Sequence, residues 1–216
     1  MSAREEILER LRGALKDAPA VPEVPRTYRT AVDAPEAERI RVLVDRLEDY
    51  KAGVTVVEES GVGPRIAELL DGAASYVVPA GIEEAWLADA EAAGAGRRRN
   101  DSRTEPLSVT DLDRTAAVVT GSAVAVAETG TIILDGSEGM GRRAISLIPD
   151  HHVCVVRASD ITMILPEALR RLDGTRPLTW ISGPSATSDI ELERVEGVHG
   201  PRTLDVIIVR SSAGSH

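Results

Sequence analysis

Short runs dense in β-branched and small apolar residues recur along this chain: VTVV at 54–57, a strand around Tyr76 to Val78, AAVVT at 116–120, AVAVA at 123–127, TIIL at 131–134, VCVV at 153–156, TWIS at 179–182 and LDVIIV at 204–209. Unbroken apolar runs of this length suit strands covered on both faces. Between them lie segments with helical spacing, marked by Ile40, Leu43, Val44 and Leu47, and then by Pro64–Leu70, Ile82–Ala92 and Ser159–Leu172. Strands and helices in turn predict an α/β fold. The stretch from Gly94 to Arg103, GAGRRRNDSR, has no hydrophobic period and clustered charge, so it is expected to be an exposed loop.

The N-terminal segment stands apart from this alternation. Ser2 and Glu5 have capping-box spacing, and Ile7, Leu8, Leu11 and Leu15 share one helical face, which predicts an amphipathic helix. Pro19, Pro22 and Pro25 exclude continuous helix beyond it and predict an extended tether. Two units are therefore expected: residues 1–30 as helix and tether, and residues 31–216 as the α/β domain.

Composition removes several functions. The 216 residues include no Phe, two Trp and three Tyr, so Val, Ile, Leu and Ala must fill the core, and aromatic platforms for single-stranded nucleic acid are scarce. A net charge of -10 penalises approach to nucleic-acid phosphates or anionic lipid. The one cysteine, Cys154, excludes an internal disulfide, an iron–sulfur cluster held by this chain and a cysteine zinc site. His151 and His152 are adjacent, so on a strand they point to opposite faces and cannot chelate one ion together. No metal and no cofactor of its own is expected. The charged N-terminus and the lack of a long apolar window predict a cytoplasmic protein without a membrane span.

Three glycine turns beside strands offer backbone N–H groups to an anion: GVGPR, AETGT and SGPSATSDIE. In the first, turn and capping preferences alone account for the residues. Glu128 ends an apolar run ahead of Thr129 and Gly130, where it serves either as a nucleophile or base, or as a hydrogen-bonded carboxylate pinning the turn. His199, fixed by Gly200 and Pro201, is the candidate acid or base among the histidines, with a structural role as the alternative. Thr129, Gly130, Gly183, Ser185 and Thr187 are the candidate ligand-binding residues, on the premise that the three loops converge at strand ends. Arg142, beside Arg143, is either part of an anion clamp or a solvated pair offsetting Asp135 and Glu138.

From Asp111 to Val209, the order AVAVAETGTIIL, GRRAISLIPDHHVCVV and ISGPSATSDIELERVEGVHGPRTLDVIIV resembles the lactate utilization protein C family, built of a LUD domain. The resemblance implies an α/β fold with a mixed, largely parallel sheet flanked by helices, like that of sugar isomerases and CoA transferases. It also implies a multi-protein system oxidising L-lactate to pyruvate with two partner proteins, at least one bearing iron–sulfur clusters, this chain being a subunit or accessory protein with a small-anion site. The alternative is a free-standing enzyme of the CoA-transferase or cyclo-ligase type that uses Glu128, which rests on fold analogy.

Overall fold

The computed structural model describes residues 2–16, 23–187, 195–196 and 200–211. Helix α1 (Ala3–Ala14) is closed at its start by the Ser2–Glu5 capping box and buries none of its residues. Helix α2 (Glu36–Asp49) buries Ile40, Leu43 and Leu47, the face that its spacing predicts.

Six parallel strands form the main sheet: β1 (Gly53–Val57), β2 (Ser75–Pro79), β3 (Arg97–Asp101), β4 (Ala117–Thr120), β7 (His151–Arg157) and β12 (Thr203–Val209). Their spatial order is β1-β12-β7-β4-β2-β3. A second sheet of four short strands, β5 (Val124–Val126), β6 (Thr131–Leu134), β8 (Ile161–Thr162) and β9 (Thr179–Ile181), mixes parallel and antiparallel pairs. A small hairpin pairs β10 (Ala186–Thr187) with β11 (Val195–Glu196).

The layers follow from the two-residue period of a strand. On β7, Val153 and Val155 pack toward α3 (Val62–Leu69) and α4 (Ala88–Ala92), while Cys154 and Val156 pack toward α2 and the second sheet. On β12, Ile207 and Val209 share the first core, and Leu204, Val206 and Ile208 the second. Helix α5 (Val109–Asp113) buries Leu112, and helix α6 (Leu165–Leu169) covers the far side of the small sheet through Ala168, against Val124, Val126 and Ile133. Among the described residues no helix is long and apolar enough to cross a membrane.

Three segments differ from the sequence expectation. GAGRRRNDSR is not a loop throughout: Arg97–Asp101 is edge strand β3, paired in parallel with β2. Its arginines hid the strand signal, yet charged side chains are what an edge tolerates, and here Arg98 bonds Glu84 and Glu91 while Arg99 bonds Asp111. The helix expected over 82–92 divides into a 3-10 turn (Glu84–Trp86) and the short α4. The helix expected from Ser159 to Leu172 is interrupted by β8, whose β-branched Ile161 and Thr162 pair with β5, so that α6 starts only at Leu165 with Pro166 in its first turn. VTVV forms β1 as expected but, at the sheet edge, it is only partly buried.

Candidate functional site

The turn between β5 and β6 and the one after β9 are brought together by the antiparallel β6–β9 pairing and by the C-terminal end of α2. Gly130 (φ +61°) passes so close to α2 that a Cβ there would stand 2.7 Å from that of Arg46. Gly183 (φ +93°) approaches Tyr50 equally closely, at 2.7 Å from its Cβ. Both positions therefore require glycine for conformation and for space. A chain of hydroxyls links the turns: Thr129 Oγ1 lies 2.8 Å from Thr131 Oγ1, which lies 2.9 Å from Ser182 Oγ.

Glu128 stands at the outer side of this junction. Its N–H donates to Met163 O at 3.0 Å, and its carboxylate accepts from Arg29 Nη2 at 2.9 and 3.1 Å. The side chain is 46% exposed, so the solvated ion pair satisfies a carboxylate that the apolar run had made conspicuous. The carboxylate is thus held by an exposed ion pair and not by the core.

Ser185 belongs to a different surface. Its N–H donates to Pro201 O at 2.8 Å, and it lines a cleft of about 140 Å³ with Ser182, Gly183, Gly200, Trp180 and His152. Thr187 lies in β10, two residues further on. His199 and the helix start expected at Asp189 fall outside the described residues. Glu128, Thr129 and Gly130 are not among the residues that line this cleft.

His152, which spacing treated only as a divergent neighbour of His151, is the histidine that lines the cleft among the described residues. The two rings do point apart: His151 Nε2 meets Asp205 at 2.7 Å, whereas His152 Nε2 lies 2.8 Å from Thr120 Oγ1 in the core. Full burial, with the His151 charge adding to it, pushes the His152 pKa down to about 3, so the ring is neutral at physiological pH. Burial also raises the Cys154 thiol to about 12, so it stands as a neutral thiol at physiological pH. Among the described residues, no group of three or more His, Cys, Asp or Glu side chains is placed to hold a metal ion.

Arg142 is neither a solvated partner of Asp135 and Glu138 nor part of the Ser185 cleft. Its Nε and Nη2 donate to Asp101 at 2.9 and 2.5 Å, and Nη2 also reaches Leu107 O at 3.0 Å. Asp135 pairs instead with Arg176, at 2.6 Å. Asp101 sits at the end of β3, the strand that the sequence concealed, which is why this buried pair was not legible. The loop after β6 settles over the ends of β2 and β4, where Gly81 N–H donates to Glu138 O at 3.1 Å and Gly121 N–H to Gly139 O at 3.0 Å. From β2 the sheet continues outward to β3 and from β4 the other way to β7, so this is a topological switch point.

Comparison with known proteins is consistent with this architecture. A family model described as LUD domain matches residues 108–209. Lactate utilization protein C of Deinococcus radiodurans is 45% identical over 211 residues, covering 96% of this chain and 95% of that one. Lactate utilization protein C of Macrococcus caseolyticus is 31% identical over 162 residues, 71% of this chain and 64% of that one. A crystal structure of a DUF162 family protein from Deinococcus radiodurans superposes with a TM-score of 0.68 at 39% identity, covering 82% of this chain and 99% of that chain.

Proposed function

Since the chain belongs to the lactate utilization protein C family, we propose that it acts in lactate utilization, as a subunit or accessory protein of a system that oxidises L-lactate to pyruvate. The observation that carries this reading is the 45% identity extending over 96% of the chain. Electron transfer through iron–sulfur clusters belongs to two partner proteins in this scheme. A single cysteine, buried and held as a thiol, leaves this chain without ligands for a cluster. Residues 31–216 are the LUD domain of the proposal, and residues 1–30 a helix and tether available for docking.

The small-anion contact is assigned to the loop after β9. Ser182 and Ser185 bring hydroxyls to a cleft of about 140 Å³. That is below the roughly 300–1,000 Å³ of sites for drug-sized molecules and on the scale of a small organic acid. Glu128 keeps the neighbouring turn in place through Arg29.

Growth tests decide the role. A strain lacking the gene should fail on L-lactate, grow on pyruvate, and recover with the wild-type chain. Normal growth on L-lactate, in a strain with no second copy, would remove the pathway assignment. In vitro, lactate oxidation reconstituted from purified components should fall when this chain is left out.

A further inference from the structure

Arg103, Arg142, Arg143 and Arg176 arrive from three separate segments and converge on the loop after β6. They line two adjoining clefts of about 500 and 230 Å³ that share Arg103, Gly136, Gly141 and Arg142. We propose that this arginine-lined groove is a binding site for an anion carrying at least one phosphate group, distinct from the small cleft at Ser185.

Charge is the first argument. In a chain of net charge -10, four guanidiniums face this groove against two lining carboxylates, Asp101 and Glu138. Two of the arginines are positioned by carboxylates. Arg142 spends Nε and Nη2 on buried Asp101, which leaves Nη1, and Arg176 spends Nη1 on Asp135, which leaves Nε and Nη2. Arg103 and Arg143 have no carboxylate within ion-pair distance among the described residues. Arg103 reaches across to Gly136 O at 3.1 Å, which anchors its exposed guanidinium at the groove. Two uncompensated guanidiniums beside two anchored ones make a multidentate set for phosphate oxygens, a geometry that lysines do not reproduce.

Position and shape are the second. The groove opens at the C-terminal ends of β2 and β3, beside the switch point, where open parallel sheets place ligands. Its wall is stiff. Gly136 and Gly141 both have positive φ, and a Cβ at Gly141 would press within 2.8 Å of Pro79 and Ile145. The larger cleft falls within the roughly 300–1,000 Å³ of small-molecule sites, so a monocarboxylate the size of lactate would leave most of it unfilled.

The test is calorimetric titration of the full chain with inorganic pyrophosphate at fixed ionic strength, repeated with R103Q, R143Q and the double variant. Both arginines are exposed and outside the core, so the variants should keep the wild-type melting temperature. Pyrophosphate should bind saturably, and each substitution should weaken it about tenfold or more, the loss of a charge-assisted hydrogen bond. R143K should recover part of that loss. Competition by AMP would assign the charged group to a phosphate ester, and its failure to compete would assign it to inorganic polyphosphate. No saturation below about 10 mM, unchanged affinity in the double variant, or displacement by equimolar L-lactate would overturn the site. The lactate assignment is judged separately by growth, so either reading can fail alone.

Discussion

Asp101→Ala should be among the most damaging single substitutions outside the apolar core. The carboxylate is fully buried and accepts from Arg142 Nε and Nη2 and from the Leu107 N–H at 2.9 Å. Removing it leaves a guanidinium that is only 27% exposed with Leu107 O as its one remaining acceptor, and strands Arg142 Nε and the Leu107 N–H. Breaking a buried pair from one side costs about 3–5 kcal/mol, and the partial exposure of Arg142 places this case near ~3 kcal/mol. Against a total stability of about 5–15 kcal/mol, that is a large share, and it corresponds to a fall in Tm of roughly 6–12 °C for a chain of this size. Asp101→Asn keeps an acceptor for Leu107 and should lose less. Arg142→Met strands the buried carboxylate and should cost at least as much as Asp101→Ala. The double variant Asp101→Leu with Arg142→Met leaves no unpaired charge, so its cost should be well below the sum of the single ones. Urea unfolding at pH 7, with midpoints compared at constant m, measures all four. A loss under about 1 kcal/mol for Asp101→Ala, or strict additivity in the double variant, would show that the pair does not organise this region.

Three further outcomes are expected. His152 titrates near 6.5 when unfolded and near 3 when folded, so its contribution is complete above about pH 6.5 and is lost as pH falls toward 3; between pH 6.5 and 5 the loss is up to ~2 kcal/mol, and His152→Gln should remove that part of the slope in pH-dependent unfolding, an unchanged slope counting against the buried neutral ring. Gly183→Ala should destabilise by about 1–3 kcal/mol, because alanine meets both a positive φ and the Tyr50 backbone, and a wild-type Tm would show that the turn has room. Deleting residues 1–25 should change Tm by less than about 2 °C, since α1 buries none of its residues, and should weaken association with partners or other copies; a large loss of stability in a monomeric sample would mean that the helix packs on its own domain.

Alternation and periodicity make the α/β class, most strands and the buried face of α2 legible in the sequence alone. Each of those signals is local: β-branched density, a 3.6-residue stripe, glycine and proline at the breaks. Local reasoning also anticipated that His151 and His152 diverge. Tertiary structure decided what depends on pairing across distance. Arg97–Asp101 becomes a strand because β2 offers it a parallel edge, and Ile161–Thr162 because β5 does, neither of which a window of neighbouring residues contains. The same holds at the site. Glu128 drew attention as a carboxylate after an apolar run, but its partner Arg29 lies 99 positions away, and Arg142 finds Asp101 at a separation of 41. A buried polar group is defined by the partner that satisfies it, and the partner is chosen by topology, so composition can nominate such residues while only the folded sheets can assign them.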